Sequence, residues 1–256
     1  SFAADHVINP VDEFQRVVTE AVITAASGKI VTIGITPTEP SSAFGYIRAC
    51  TPLGLAHAPN ALAVESFVEK PDSETAQKYL DSGDYTWNAG MFVAPVSLML
   101  QHLEKNEPEL YAGVMKIAKA WDTPERESIM DQTWGTLPKT AIDYAVAEPA
   151  AAAGDVAMVP GSFSWDDVGD FDAVARLNQE KHGEGLTILG DEDNVINQGC
   201  SGIVVANSNR KISVIGLEDI VVVDTPDALL VAPRERAQAV KDTVAELKDR
   251  GLADLL

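Results

Sequence analysis

The stretch Val64–Phe92, VESFVEKPDSETAQKYLDSGDYTWNAGMF, decides how the chain is read. Its first residues alternate, with Val64, Ser66 and Val68 on one side and Glu65, Phe67 and Glu69 on the other, which predicts a strand with a mixed face. Pro71 stops that strand and Asp72 is a good N-cap, so a helix opens there, turns Ala76, Tyr79 and Leu80 inward, and ends at Gly83. Loop and strand through TWNAGMFVAP follow. At the end of the first strand a carboxylate, Glu69, stands beside an ammonium, Lys70, and the frayed end before the proline lets both turn toward one cleft. A carboxylate accepts hydrogen bonds from vicinal hydroxyls, and an ammonium holds a phosphate as a point charge. Together they match a sugar phosphate, although the dipeptide alone also suits a solvated surface pair.

Working upstream, Phe14, Val17, Val18, Ala21, Val22 and Ala25 recur at helical spacing, with Gly28 placed to end the helix. KIVTIGITP then supplies a strand, Ile30 to Ile35, apolar on both faces apart from Thr32. With DHVI read as the end of a strand already under way, the order strand, helix, strand predicts a right-handed βαβ unit. That puts Asp5 and His6 in a loop at the carboxyl edge of a parallel sheet. Because the chain opens with neither Met nor a leader pattern, material upstream of Ser1 is expected. SSAFGYIRA places Gly45 and Tyr46 between a polar turn and a short apolar stretch.

Downstream, helical spacing returns over Val96 to Leu103 and Tyr111 to Ala120, before KTAIDYAVAE and the acidic turn SWDDVGD. Around EKHGEG the composition changes to short β-branched bursts, IVVA, ISVIGL and IVVVDT. A last helix follows with Ala237, Val240, Val244 and Leu247 inward. Two domains are predicted, residues 1–182 and residues 183–256, the second small, β-rich and coiled or sandwich-like.

Charge narrows the function. With 39 acidic against 19 basic residues the formal net charge is -20, which repels nucleic acid and anionic lipid and obliges any phosphorylated ligand to find local neutralisation. No apolar run approaches the roughly 20 residues of a membrane span, and a cytoplasmic location is expected. Cys50 and Cys200 are read as buried free thiols. Neither G-x-S-x-G, a P-loop nor G-x-G-x-x-G occurs, so serine hydrolase, kinase and dinucleotide readings lack their signatures.

Two further groups could carry chemistry. Tyr85, Trp87 and Asn88 precede the small residues Ala89 and Gly90, which lets backbone and amide approach a polar ligand; one packed tryptophan in a turn is the plainer reading. Asp166, Asp167 and Asp170 bunch around Gly169, as a solvated acidic turn or, with Asp5 opposite, as ligands of a divalent cation. Two monodentate carboxylates completed by phosphate oxygens suit Mg2+, whereas the sequence has no His/Cys cluster of the kind zinc prefers. His6 reads as hydrogen-bonding a neighbouring loop.

In this order DHVI, FGYI, FVEKPD, YTWNAGMF, AIDYAV and WDDVGDF resemble the sugar-phosphate nucleotidylyltransferases, and among them the mannose-1-phosphate guanylyltransferases. EKPD and WNAGMF at that spacing, followed by W-x-D-V-G, are far stronger jointly than singly, and the resemblance spans nearly the whole chain. It implies an α/β fold with a Rossmann-like mixed sheet, incomplete at the amino end, and a small left-handed β-helix-like carboxyl-terminal domain used for packing and dimer contacts. GTP and mannose 1-phosphate would be the substrates, Mg2+ the cofactor and a homodimer the assembly. Carried residue by residue, the resemblance makes Asp5 and Asp167 the metal ligands and has the Gly45 and Tyr46 backbone line the sugar pocket. Glu69 would take sugar hydroxyls, Lys70 the sugar phosphate and Asn88 the sugar ring, with Asp143 positional. Asp5, Lys70 and Asp167 form the implied catalytic set. The family's amino-terminal half-domain, with its Gly-rich G-x-G-T-R-L-x-P-L loop and base pocket, lies outside these 256 residues. A chain truly starting at Ser1 would lack the triphosphate cradle, whereas a longer native chain would be a full enzyme. Rival readings are a related enzyme using glucose or N-acetylglucosamine 1-phosphate with UTP, dTTP or ATP, and a non-catalytic nucleotide-sugar-binding regulatory subunit.

Overall fold

The computed structural model describes residues 1–182, 185–252 and 255. Its elements fall into two compact units: Ser1–Ala4 with Ile8–Trp165, and Asp5–Val7 with Asp166–Leu256. The boundary expected after residue 182 borders Gly183 and Glu184, which lie outside the described residues.

In the first unit β1 (Val7–Asn9) leads into α1 (Val11–Ala26), whose side chains at 17, 20, 21, 24 and 25 form one buried stripe. Val22 lies off that stripe and is exposed, against the inward place expected for it. Glu20 takes an inward place instead, because its carboxylate accepts from the Asn60 main-chain N–H at 2.6 Å and Nδ2 at 3.1 Å, and from Arg16 Nη1 at 2.8 Å. A buried charge is tolerated only with such partners. The strand β2 (Ile30–Ile35) is buried at all six positions, followed by β3 (Gly45–Pro52), β4 (Leu62–Val68) and α2 (Ser73–Ser82). The caps of α2 are those expected: Asp72 accepts from the Thr75 N–H at 2.8 Å, and Gly83 adopts φ 70°, a left-handed value that suits glycine.

The whole of Tyr85–Val93 is one strand, β5, followed by α3 (Val96–Asn106), α4 (Pro108–Ala120) and α5 (Arg126–Thr133). Helix α5 carries just one adjacent apolar pair, Ile129 and Met130, in RESIMDQT and offers no periodic signal. A π-helical turn, Asp143–Ala147, runs into α6 (Glu148–Ala152), and β6 (Val156–Gly161) and β7 (Ser164–Asp166) close the unit.

Five strands run in the order β2-β5-β3-β4-β6, and β6 returns to β2. Only β2 and β6 are parallel, in the register Ile30↔Val156 to Ile35↔Gly161; the other pairs are antiparallel. The expected βαβ unit is therefore not formed. Three-residue β1, ended by Pro10 with no N–H, pairs with β7, while β5 and β6 flank β2. Asp5 and His6 precede β1 rather than follow a strand. Alternation in β4 also breaks. Ser66 pairs Arg48 and Val64 pairs Ala49, so Glu65 is an extra residue, a bulge that lets Val64 and Phe67 both face the core. Beyond it the β3 ladder is irregular between Ala49 and Pro52, and Cys50 is exposed there, not buried; Cys200 is buried as expected.

The second unit includes α7 (Phe171–His182), so the division into compact units falls before this helix, whereas the sequence pattern places the domain boundary after residue 182. Its residues Phe171, Val174 and Ala175 cluster with Ile203 and Val221. Strands β8 (Leu186–Gly190), β10 (Gly202–Ala206) and β12 (Ile220–Asp224) stack in parallel, β9 (Val195–Gln198) and β11 (Ile212–Ile215) form a second parallel pair, and β13 (Leu229–Pro233) adds antiparallel to β12. Cys200, Val204, Val214, Ile220 and Val222 fill the space inside this coil. At its corner Gly202 has φ 116°, and a Cβ there would overlap the Ile220 carbonyl, so only glycine fits. Helix α8 (Val240–Asp249) follows, with Val240, Val244 and Leu247 half-buried on its inner side. Among the described residues no helix is long and apolar enough to cross a membrane.

Candidate functional site

Strand pairing brings the first group together. Gly45 stands opposite Asn88 and Tyr46 opposite Trp87 in the β3–β5 ladder. Tyr46 points its ring into the core, where its hydroxyl donates to the Ser41 carbonyl at 3.0 Å, leaving its main chain at the site. Gly45 has no side chain to spare: a Cβ would collide with Oε2 of Glu69. That carboxylate, from the end of β4, is 8% exposed.

Lys70 adopts φ 47°, a left-handed value that a non-glycine residue before proline rarely takes. The twist folds its ammonium back to 3.2 Å from Oε1 of Glu69, so the two side chains share one side as expected. Strain of this kind persists only where surroundings over-determine it, and the Glu69 N–H is fixed at 2.9 Å by Oε1 of Glu148. The other carboxylate oxygen, Oε2, is buried and accepts no hydrogen bond. Burial first, then the charge of Asp143, push the Glu69 carboxyl above the usual range; Lys70 pulls the other way and Glu148 adds to the rise. Oε2 is thus a buried acceptor that no protein donor fills.

Asn88, also buried, has its amide orientation fixed. Oδ1 accepts from the Thr32 hydroxyl at 2.6 Å and from the Gly90 N–H at 3.2 Å, and Nδ2 donates to Asp143 at 3.2 Å. Thr32 is the one polar residue in an otherwise apolar strand, and this is its use. Asp143 opens the π-helical turn, a rare geometry that recurs at functional sites. Phe44 packs edge-on against both Trp87 and Trp165 at 5.0 Å, and the Trp87 indole N–H is buried with no acceptor.

The second group lies in the other unit, where the structure sorts the acidic cluster. Asp170 accepts from the Ala173 N–H at 2.9 Å and caps α7. Asp166 accepts from the Val168 N–H at 2.8 Å and from Arg176 Nη2 at 2.6 Å. Both are structural. Asp167 differs. Burial, and then the neighbouring charge of Asp166, raise its carboxyl above the usual range, while a Gly169 N–H and His6 act in the opposite sense. Asp5, adjacent to His6 in the chain, belongs to the same compact unit as Asp167 and is exposed. Among the described residues no three His, Cys, Asp or Glu side chains form a metal-binding cluster. Asp5 and Asp167 carry only oxygen donors, which is the ligand chemistry a hard divalent cation takes, and a nearby positive charge would favour the ionised form of the raised Asp167 carboxyl.

Comparison with known proteins divides the chain further along, so that the acidic turn and α7 fall within the first match. Residues 1–184 match the family described as Nucleotidyl transferase, and residues 193–247 match the MannoseP isomerase/GMP-like beta-helix domain. The chain is 40% identical over 255 residues to the xanthan biosynthesis protein XanB of Xanthomonas campestris, covering 98% of this chain and 51% of that protein. It is 36% identical over 251 residues to mannose-1-phosphate guanylyltransferase of Escherichia coli, covering 97% and 51%. The chain thus spans about half the length of the curated relatives it matches. A crystal structure from Thermus thermophilus, of a protein called mannose-1-phosphate geranyltransferase, superposes with a TM-score of 0.75 at 28% identity, over 96% of this chain and 68% of that one.

Proposed function

This chain belongs to the nucleotidyl transferase family, and from that premise we propose that the full-length protein is a mannose-1-phosphate guanylyltransferase. The reading rests on one observation above all: a buried carboxylate, Glu69, with an unpartnered oxygen against a glycine and an ammonium at its other oxygen. A neutral apolar ligand would leave that oxygen orphaned; vicinal hydroxyls beside a phosphate satisfy both groups. The name of the Escherichia coli relative supports the same substrate pair.

In this reading Glu69 accepts from the sugar hydroxyls while the Gly45 and Tyr46 main chain lines the pocket. One N–H of Asn88 is committed to Asp143, and its second reaches the ring. Lys70 neutralises the sugar phosphate. A phosphate oxygen of mannose 1-phosphate attacks the α-phosphorus of GTP in line, the bond to the bridging oxygen breaks, and pyrophosphate leaves with that electron pair. No covalent enzyme intermediate is needed. Asp5 and Asp167 would hold a divalent cation, taken as Mg2+, which when bound supplies charge neutralisation at phosphate oxygens. A homodimer and a cytoplasmic location belong to the same reading.

Turnover of the full-length protein on a panel of sugar 1-phosphates with each nucleoside triphosphate tests it. Mannose 1-phosphate with GTP gives the highest kcat/KM, with one pyrophosphate released per GDP-mannose. A preference for glucose or N-acetylglucosamine 1-phosphate with another nucleotide, or nucleotide-sugar binding without pyrophosphate release, overturns it. Lys70→Ala raises KM for mannose 1-phosphate and lowers kcat/KM about 10- to 100-fold, roughly 1.4 to 2.8 kcal/mol, because two anionic substrates must approach without that charge. An unchanged kcat/KM removes Lys70 from the site.

A further inference from the structure

We infer that the linked ion pairs Arg234, Asp172, Arg176, Asp166 are a positioning device that sets the backbone of the turn carrying Asp167, so that Arg176 and Arg234 govern divalent-cation use without touching the cation. The inference rests on the reading of Asp167 as a cation ligand.

The turn needs holding. Val168, immediately after Asp167, sits at φ 50°, a left-handed value that is a true outlier for a β-branched residue and persists only where its surroundings fix it. Its N–H is bound by Asp166 Oδ1 at 2.8 Å. The other oxygen of Asp166 takes Arg176 Nη2 at 2.6 Å, with the Asp166 side chain 10% exposed. Arg176 Nη1 in turn meets Asp172 Oδ2 at 3.1 Å, one turn back on α7. Asp172 gives its second oxygen to Arg234 Nε at 2.6 Å.

Arg234 follows β13 and is itself fastened to the coil. Its main-chain N–H donates to the Asp219 carbonyl at 2.7 Å, and Nη1 reaches Asp219 at 3.3 Å and Gln179 at 3.2 Å. Every link lies within the second unit. Asp166 and Asp172 are each pinned at both oxygens, which fixes position rather than merely neutralising charge. An isolated surface ion pair adds little to stability, whereas these four charged groups form one continuous chain that ends, through Asp166, on the strained turn. Asp166 thereby orients Asp167 in the way an outer-shell partner orients a metal ligand. Through Arg234 the coil domain acquires a role in the reaction.

The test uses the full-length protein and Mn2+ as the probe, its binding followed by electron paramagnetic resonance, beside the Mg2+ dependence of turnover and the Tm in EDTA. Arg176→Met weakens Mn2+ binding about 10-fold and raises the Mg2+ needed for half-maximal rate by the same factor. Its KM for mannose 1-phosphate stays within about 2-fold of wild type. Arg234→Met shifts the same two readouts in the same direction by a smaller factor, and Arg176→Met combined with Asp166→Asn is no weaker than the worse single variant. Arg176→Lys, which keeps the charge, restores part of the Mn2+ affinity and serves if the methionine variant does not fold. Mn2+ affinity unchanged in Arg176→Met and Arg234→Met, with Asp167→Asn still impaired, overturns the positioning role alone. Unchanged Mn2+ affinity in Asp167→Asn as well overturns the cation-ligand reading and the inference with it.

Discussion

Asp167→Asn in the full-length protein lowers kcat/KM for mannose 1-phosphate about 10^3-fold, close to 4 kcal/mol, the largest loss expected from any single site. The substitution keeps the shape of the side chain and removes only the charge, so the turn at Val168, bound through Asp166, is retained. What goes is a carboxylate whose ionised form burial and Asp166 disfavour in the absence of a cation. Two consequences separate loss of a ligand from loss of structure. In wild type, Mg2+ at about 100 times its Kd stabilises the fold by about 2.7 kcal/mol, and in Asp167→Asn that increment is lost. In EDTA the order reverses. A carboxyl held above its unfolded-state value contributes stability that is present below that value and disappears as pH rises through the folded one. At neutral pH the asparagine variant carries no such penalty, so its Tm in EDTA equals or exceeds that of wild type. A calorimetric series with and without Mg2+ reads both effects; an unaltered Mg2+ increment in Asp167→Asn sinks the assignment.

Much of this site is visible in the order of residues, and what stays hidden shares one physical cause. Asp72 and Gly83 can be placed because caps are local: the acceptor lies three residues from its N–H, and the glycine sits where a left-handed residue is required. Glu69 and Lys70 can be paired because they are neighbours before a proline. Thr32, Asp143 and Glu148 meet their partners across 56, 55 and 79 residues, and no local pattern announces such a meeting. The π-helical turn that presents Asp143 likewise leaves no periodic trace in AIDYAV. In the acidic cluster the three aspartates look equivalent, yet Asp170 before Phe171 carries an N-cap signal, and Asp166 is claimed by an arginine ten residues on. The βαβ expectation failed because pairing is decided between strands, where β5 and β6 took the places beside β2.

Glu69→Gln separates stability from function most sharply. The wild-type carboxylate is disfavoured where it stands: it is buried, faces Asp143 and Glu148, and leaves Oε2 without a donor, with only Lys70 offsetting this. Its carboxyl is raised above the ordinary value of 4.5, so the folded state binds a proton that the unfolded chain has already released. The stability this represents is complete below about pH 4.5 and is lost as pH climbs through the folded-state value. Glutamine, neutral throughout, escapes that loss. The variant therefore melts at or above the wild-type temperature at pH 8, and the difference closes toward pH 4, where both side chains are uncharged. Function runs the other way. Two charge-assisted hydrogen bonds from vicinal hydroxyls are replaced by weaker neutral ones, and an N–H is introduced where only acceptors serve, so kcat/KM for mannose 1-phosphate falls about 10^2- to 10^3-fold, roughly 2.7 to 4 kcal/mol. The KM for GTP is unchanged, and added mannose 1-phosphate raises the Tm of wild type but not of the variant. A destabilised Glu69→Gln protein at pH 8 with near-normal turnover would mean that the orphaned oxygen holds the fold together rather than the sugar. A stabilised protein with lost turnover would mean that the fold tolerates a strained carboxylate because the ligand completes it.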